Sequence, residues 1–401
     1  MELLSPAGNL EKLSYAYQYG ADAAYIGIRS FSLRARADNF SEDEWQKIKK
    51  IKGRKKLYGA MNIFFHNHML EELRESRDYI SRYPFDAFIV SDLGAYSVLR
   101  DLFPEQRYHL STQANCLNGA SARMYRDMGF DRIILGRETS LEEISEIKSA
   151  VPDLEIEAFV HGAMCLAYSG RCFLSTYLAD RSANEGDCTH SCRWNYRVLE
   201  EKERPGEYFP VLENDGFTTI LSSRDLCMFD HLGALKNAGV DSIKIEGRMK
   251  SLYYTAVVTR SYRKALEALD NPRENINSDQ YREELYNVSH REFSTGFYFH
   301  RSDADVTTRR NYVRRYTFNG TIGDRLDDGT FILHVKNQIR REDTLEFIGP
   351  DVLYLKDDDF DLFDESGQST GKADHGKAYR IRPSVPVEPG YIIRTKTIHP
   401  A

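Results

Sequence analysis

The chain has 401 residues, of which 41% are hydrophobic and 29% are charged, and its formal net charge is -7. This length allows two or three domains with a large core, and the composition is ordinary for a globular protein. The acidic balance gives no support for binding nucleic acid through bulk charge, so such a role needs a local basic patch. Six cysteines are too few for a secreted disulfide scaffold.

The N-terminal stretch MELLSPAGNL has no basic region followed by a long apolar run, so we expect no signal peptide. No stretch approaches about 18 uninterrupted apolar residues, so we expect no transmembrane helix and no membrane partner. A reducing cytoplasm is therefore the expected location, and it disfavours a disulfide framework.

Eight short apolar runs, each followed by a helical pattern, succeed one another along the first 250 residues. In chain order they are ELLSPAG from Glu2, YGADAAYIG from Tyr19, KLYGAMNIFF from Lys56, YPFDAFIVSD from Tyr83, RYHLSTQ from Arg107, MGFDRIILGRE from Met128, EIEAFVHG from Glu155 and AGVDSIKIEGR from Ala238. The runs lack clean alternation, which is typical of strands buried on both faces. Eight βα units predict an α/β fold of the TIM-type (β/α)8 class, and an open doubly wound sheet is the alternative.

A short sequence motif recurs between a predicted helix and the next predicted strand: glycine, any one residue and then aspartate. Gly20, Gly129 and Gly239 each follow a helical pattern in this phrase. Glycine suits the left-handed backbone position just past a helix, so we expect a positive φ at these three residues.

The remaining sequence predicts an insertion and a second domain. The barrel spans residues 1–270, with an insertion at 162–238 after strand seven that is too long for a structureless loop. Residues 271–312 predict a helical linker, and residues 313–401 predict a small C-terminal β-barrel of short strands divided by Gly, Asp and Pro. Residues 309–316, RRNYVRRY, are either a solvated linker or a contact for RNA.

Catalytic groups of such barrels lie at the carboxyl ends of the strands. The candidates for catalysis at these ends are Arg137, His161, Glu246 and Arg248. Candidate contacts for an anionic ligand are Arg34, Arg36 and Lys244, and the guanidinium groups of Arg137 and Arg248 suit the same task, because guanidinium pairs with carboxylate through two hydrogen bonds. The alternatives are a barrel-end salt-bridge network with Glu138 and Glu246, and exposed loop charges at Arg34 and Arg36.

Four of the six cysteines follow strand seven with the spacing C-x6-C-x15-C-x3-C, at Cys165, Cys172, Cys188 and Cys192. Structural zinc usually takes closer pairs, and only the last two cysteines fit that spacing. Irregular spacing of four thiols suits an iron–sulfur cluster at least as well. Cys227 is an alternative ligand, and Cys116 is interpreted as a small buried apolar residue.

Several stretches together resemble the collagenase-like peptidase family U-32. They are SPAGN near the start, YGADAAYIG, HGAMCLAYSGRCFLS, RSANEGDCTHSCRW and SIKIEGRMKS, with RPGEY before strand eight as in the tRNA hydroxylation members. The resemblance implies a [4Fe–4S] cluster on Cys165, Cys172, Cys188 and Cys192. It also implies oxygen-independent hydroxylation of tRNA, from wobble uridine to 5-hydroxyuridine, with prephenate as the hydroxyl source.

Two other functions remain open at this point. One is the peptidase activity in the family's name, although the sequence supplies neither a Ser-His-Asp arrangement nor the H-E-x-x-H pattern of zinc peptidases. The other is a non-catalytic metal-binding or assembly role, in which the four cysteines hold a metal without chemistry on a substrate.

Overall fold

A computed structural model describes most of the chain. The described residues are 1–28, 31–32, 44–165, 169, 172, 174–179, 181, 183, 187–189, 191, 212–214, 217–219, 223–273, 276–300 and 313–397, with only the backbone at 176–177, 212–214 and 217–219. The chain divides into two compact units. The barrel unit comprises Met1–Tyr17, Ala21–Lys250 and Arg291–Asn311, and the C-terminal unit comprises Gln18–Gly20, Ser251–His290 and Tyr312–Ala401.

The barrel unit is built on a parallel sheet that closes on itself. Its strand β11 pairs in parallel with β1, where Ser242 faces Glu2, and with β7, where Ser242 faces Glu157. This closure confirms the (β/α)8 barrel and excludes the open sheet. The strands of the unit are Glu2–Pro6 (β1), Ala23–Gly27 (β2), Lys56–Met61 (β3), Ala87–Val90 (β4), Arg107–Leu110 (β5), Arg132–Ile134 (β6), Glu155–Ala163 (β7), Leu212–Asn214 (β8), Phe217–Thr219 (β9), Asp225–Cys227 (β10), Ser242–Ile245 (β11) and Phe293–Ser294 (β12).

Helices follow the strands, and side-chain caps fix where several of them begin. Asp92 accepts a hydrogen bond from the backbone of Ala95, and Ser140 forms a full capping box with Glu143. Gly20, Gly129 and Gly239 have φ of 106°, 100° and 91°, as expected for residues that end helices. The helices before Ser251 are Leu10–Gln18 (α1), Trp45–Lys52 (α2), Asn67–Glu75 (α3), Arg77–Arg82 (α4), Leu93–Leu102 (α5), Gly119–Asp127 (α6), Leu141–Ala150 (α7), Leu174–Ala179 (α8) and Leu232–Asn237 (α9).

The inside of the barrel holds a buried network of charges around Arg132 on β6. Its guanidinium lies 2.6 Å from Glu2 Oε1, 2.6 Å from Glu155 Oε2 and 2.9 Å from Glu157 Oε2, and the Arg132 side chain is 2% exposed. Burial alone would raise the pKa of the Glu2 carboxyl, but the charges and hydrogen bonds of Arg132 and Lys56 outweigh burial and lower that pKa to about 2. One cation therefore joins β1, β6 and β7 at the amino ends of the strands.

The carboxyl-terminal half of β7 pairs with a strand on each side. Beyond the barrel, β10 pairs with it in the antiparallel sense, so that Cys227 faces His161, and β12 extends the sheet from β10. The buried Asp225 carboxylate accepts hydrogen bonds from the Arg291 side chain at 2.6 and 3.0 Å, which fixes this extension. Residues 225–238 of the predicted insertion thus belong to the barrel unit, while most of residues 166–222 lie outside the described residues.

The C-terminal unit is an antiparallel half-barrel sheet with two helices, Leu252–Asp270 (α10) and Ser278–Leu285 (α11). This confirms the predicted C-terminal β-rich domain. Seven strands pair in the order β17-β16-β21-β13-β14-β20-β18, and β15 pairs separately with β19. The strands are Tyr316–Arg325 (β13), Phe331–Val335 (β14), Ile339–Arg340 (β15), Leu345–Ile348 (β16), Leu355–Asp357 (β17), Asp361–Asp364 (β18), Lys372–Ala373 (β19), Tyr379–Arg382 (β20) and Ile392–Lys396 (β21).

The helix α10 groups with the C-terminal unit, whereas the sequence analysis placed residues 251–270 in the barrel domain. The reason is a buried contact of Arg260, whose Nη1 donates to the carbonyls of Gly349, Val352 and Leu353. Arg260 also pairs with Glu284 of α11 at 3.2 Å, and Glu284 pairs with Arg394 of β21 at 2.8 Å. These contacts join both helices to the sheet, so the compact units divide at Ser251.

None of the helices in the described part of the chain combines the length and apolar character needed to cross a bilayer.

Replacing Arg132 by Met keeps much of its bulk but leaves Glu2, Glu155 and Glu157 without their shared cation. We expect Arg132→Met to lower the free energy of unfolding by about 3–5 kcal/mol, because the buried carboxylates then lose the one cation that they share and repel one another. Urea unfolding at pH 7, followed by circular dichroism, measures this loss. The control is Arg126→Met, whose partners Asp127 and Asp153 are exposed, and it should leave the urea midpoint nearly unchanged.

The loss should shrink on acidification. The Glu2 carboxyl has a lowered pKa, so its contribution is present above its ordinary pKa of 4.5 and disappears as the pH falls toward about 2. A loss that is equally small for Arg132→Met and Arg126→Met at pH 7 would contradict the assigned role of the network.

Candidate active site at the barrel mouth

Arg137 follows β6 and Glu246 follows β11, and the structure brings their side chains together. Arg137 Nη2 donates to Glu246 Oε2 at 3.0 Å, and the guanidinium carbon lies 4.0 Å from the centre of the Phe159 ring. Both side chains are largely buried. The pair places a cation stacked on an aromatic ring at the carboxyl end of the barrel, where catalytic groups of this fold gather.

Arg248 lies against the ends of β1 and β2. A Cβ atom on Gly27 would lie 2.3 Å from Arg248 Nη1 and 2.5 Å from Ser32 Oγ, and a Cβ on Gly8 would lie 2.5 Å from the Arg248 carbonyl oxygen. The φ of Gly27 is not in the left-handed region. Glycine is therefore needed there for space, because it lets the buried Arg248 guanidinium rest on the strand end.

Lys244 and His161 lie deeper than the two arginines. Lys244 Nζ is 2.9 Å from Glu157 Oε1 and 4.4 Å from the centre of the Tyr25 ring, so its charge is balanced inside the barrel. His161 is buried on β7, between β10 and β11, with its ring 5.3 Å from that of Phe293. Cys227, the alternative metal ligand, is the residue of β10 directly across from His161.

Three of the four candidate cluster cysteines lie in the described residues. Cys165 is exposed two residues beyond β7, Cys172 precedes α8, and Cys188 lies just after Asp187. The segments around Cys172 and Cys188 are joined by Ser175, whose hydroxyl is 2.9 Å from Thr189 Oγ1 and accepts from the Thr189 backbone at 3.0 Å. The Arg181 guanidinium pairs with the Asp187 carboxylate at 2.5 Å and supports the same junction.

Several predicted residues cannot be placed. Cys192, Arg34 and Arg36 lie outside the described residues. Among the described residues, no group of three or more His, Cys, Asp or Glu side chains is arranged so that it could hold a metal ion. The three placed cysteines nevertheless supply only thiol donors, which is the ligand type that iron–sulfur clusters use.

Sequence reasoning missed the contact that ties the cysteine region to the mouth. The backbone N–H of Ser169, between Cys165 and Cys172, donates to Glu138 Oε1 at 2.8 Å, and Ser169 Oγ accepts from the Arg137 backbone at 3.4 Å. It also missed Asn115, which has φ 55° and a buried side-chain oxygen. Asparagine in the turn TQANC was the available signal, because it tolerates this backbone region.

Cys116 has the environment of a structural thiol. It is 1% exposed, and burial raises the pKa of its thiol to about 11. A thiol with so high a pKa is not a nucleophile at neutral pH.

The protein is therefore a TIM-barrel protein that has arginine side chains at the carboxyl end of the barrel and a second domain built on an antiparallel sheet. The model of peptidase family U32 matches residues 8–308, and the model of the peptidase family U32 C-terminal domain matches residues 314–394. The chain belongs to peptidase family U32.

Three relatives carry names that bear on activity. "tRNA hydroxylation protein P" of Escherichia coli is 38% identical over 87% of this chain and 86% of its own length. "tRNA hydroxylation protein P1" of Bacillus subtilis is 35% identical over 93% of this chain and 89% of its own length. "23S rRNA 5-hydroxycytidine C2501 synthase" of E. coli is 35% identical over 80% of this chain and 48% of its own length.

The Arg137–Glu246 pair can be tested without a substrate. Glu246→Gln keeps the shape of the side chain but leaves the Arg137 guanidinium without its anionic partner. We expect the free energy of unfolding to fall by about 1–3 kcal/mol, and the double variant Arg137→Met/Glu246→Gln to recover part of that loss.

The control for this pair is Glu71→Gln, since Glu71 pairs with Arg74 where the side chains are 70% and 47% exposed. It should cost less than about 0.5 kcal/mol in the same urea titration. Equal losses for Glu246→Gln and Glu71→Gln would show that the mouth pair is no stronger than a surface pair.

Proposed function

We propose that this protein hydroxylates tRNA, converting the wobble uridine to 5-hydroxyuridine without molecular oxygen. The observation that carries the proposal is the alignment with tRNA hydroxylation proteins over more than 85% of both chains. The rRNA 5-hydroxycytidine synthase supports the same chemistry, because it too is named for a hydroxyl group on a pyrimidine of RNA. A tRNA substrate places the proposed activity in the cytoplasm.

We propose that Cys165, Cys172, Cys188 and Cys192 hold a [4Fe–4S] cluster. Support comes from their spacing, from the all-thiol donor set, and from the junction of Ser175 with Thr189 that joins the segments of Cys172 and Cys188. When bound, such a cluster supplies one-electron chemistry at a potential set by its surroundings. The protein's part is to fix the positions of the cysteines relative to the barrel mouth.

Prephenate is the proposed hydroxyl donor. In the net exchange, C5–H of the base becomes C5–OH and the donor's C–OH becomes C–H, so the base loses two electrons and the donor gains them. A dicarboxylate suits the two guanidinium groups at the mouth, Arg137 and Arg248. Arg34, Arg36 and Lys244 stay proposed contacts for the anion, and Lys244 also pairs with Glu157.

Residues 313–316 of the basic stretch at 309–316 are described, and Arg314 and Arg315 within them are exposed. The Arg315 guanidinium lies 5.7 Å from the centre of the Tyr286 ring. Basic side chains beside aromatic rings suit single-stranded RNA, so we propose this stretch as a tRNA contact.

The family's peptidase name supplies the alternative function. A cysteine peptidase needs a thiol with a lowered pKa beside a base, and burial raises the pKa of Cys116 instead. A non-catalytic metal-binding role would retain the four cysteines but would not use the guanidinium groups of Arg137 and Arg248 to bind a substrate.

The cluster proposal predicts iron. Protein purified without oxygen should be brown and contain about four irons per chain, and Cys165→Ala, Cys172→Ala, Cys188→Ala or Cys192→Ala should abolish iron binding. Cys116→Ala is the matched control and should keep the iron. Stoichiometric zinc without iron would reject the cluster, and loss of iron in Cys227→Ala but not in Cys192→Ala would move the fourth ligand to β10.

The substrate proposal predicts a change in tRNA. In a strain that lacks the gene and any redundant enzyme, mass spectrometry of nucleosides from total tRNA should show loss of 5-hydroxyuridine derivatives. The wild-type chain should restore them and Cys188→Ala should not. An unchanged nucleoside profile would reject the proposal, and cleavage of gelatin by protease-free protein would favour the peptidase.

A further inference from the structure

The loop after β6, residues 135–140, contacts Ser169, which with Cys165 and Cys172 is a described residue of the cysteine-bearing segment at 165–172. The contact is made by Ser169, which is 4% exposed although it is a polar residue. Its N–H donates to Glu138 Oε1 at 2.8 Å, its hydroxyl lies 3.4 Å from the same oxygen, and the Arg137 backbone N–H donates to that hydroxyl at 3.4 Å. One serine between two candidate metal ligands is therefore fixed by three hydrogen bonds to the end of one barrel strand.

The Glu138 carboxylate borders the space left by the missing side chain of Gly136. A Cβ atom on Gly136 would lie 2.8 Å from Glu138 Oε2 and 3.2 Å from Asn115 Oδ1. Both oxygens are buried, and no group in the described part of the chain donates a hydrogen bond to either. Two buried acceptor oxygens without a donor cost free energy. The placement of Glu138 is therefore not explained by local stability. Among the described residues, its Oε1 accepts hydrogen bonds from the backbone N–H and the hydroxyl of Ser169.

Arg137, the residue before Glu138, extends its side chain toward the barrel mouth. The Arg137 guanidinium stacks on Phe159 and pairs with Glu246, while the Arg137 backbone and the Glu138 side chain hold Ser169. Consecutive residues of one loop thus touch the mouth and the cysteine-bearing segment. Movement of Ser169 away from Glu138 would change the distance between the cysteines and the guanidinium.

We infer that Glu138 is a positioning residue that fixes the cysteine-bearing segment to the end of β6 and so sets where Cys165 and Cys172 lie relative to the barrel mouth. The inference rests on the proposed function for the task of the cysteines, but not for the hydrogen bond itself. The essential feature is an acceptor oxygen at the place of Glu138 Oε1, rather than the negative charge.

The test compares Glu138→Ala with Glu138→Gln, because the amide oxygen of glutamine still accepts from the Ser169 N–H. Glu142→Ala, an exposed acid on α7, is the matched control. Hydrogen–deuterium exchange is measured on metal-free protein for the peptide that contains Ser169. Iron per chain and the visible spectrum are measured on protein purified without oxygen.

In Glu138→Ala, we expect the Ser169 amide to exchange at least about 10-fold faster. We also expect iron content to fall and the visible spectrum to change in this variant. Glu138→Gln and Glu142→Ala should match the wild-type protein in exchange, iron content and spectrum. Unchanged exchange in Glu138→Ala, or equal acceleration in Glu138→Gln, would overturn the inference. If wild-type protein holds no iron, the cluster proposal fails while the exchange result alone decides whether Glu138 positions the segment.

Discussion

The buried charge of Arg132 is the constraint on which the barrel depends. It lies among carboxylates from β1 and β7, strands that are more than 150 residues apart in the chain. Lys244 of β11 adds a second cation on Glu157. A buried cation without its carboxylates, or the reverse, costs several kcal/mol, so the network favours only the register that brings all of them together. The ion pairs of Arg132 lie at the amino ends of the strands, at the opposite end of the barrel from the pair of Arg137 and Glu246.

Most of the barrel could be predicted from the sequence because its signals are local. Each strand is a short apolar run, and glycines such as Gly129 and Gly239 mark helix ends by a backbone need that only their own position sets. Closure is different, since it depends on Ser242 facing both Glu2 and Glu157. The sequence favoured closure by the count of units and could not exclude an open sheet.

Residues whose roles depend on distant partners could not be assigned in this way. The sequence places Lys244 near the carboxyl end of its strand, close to the barrel mouth. The fold shows that its ammonium group pairs with the Glu157 carboxylate. The helix α10 has the position of the eighth barrel helix in the sequence. Contacts such as those of Arg260 with three carbonyls near residue 350 place it in the C-terminal unit. The spacing of Cys165, Cys172 and Cys188 was enough to predict them as metal ligands. The hydrogen bond from Ser169 to Glu138 could not be predicted, because it depends on the path of the chain after β7.

The short loop after β6 combines two demands that explain its sequence. A side chain at Gly136 would displace the ends of the Leu117 and Glu138 side chains, although the φ of Gly136 is not in the left-handed region. Thr139 closes the loop by donating from both its backbone and its hydroxyl to the Gly136 carbonyl. The two residues between them diverge, Arg137 toward Phe159 and Glu138 toward Ser169. Because a peptide bond separates their Cα atoms by about 3.8 Å, the cation of the mouth and the anchor of the cysteine-bearing segment cannot shift independently.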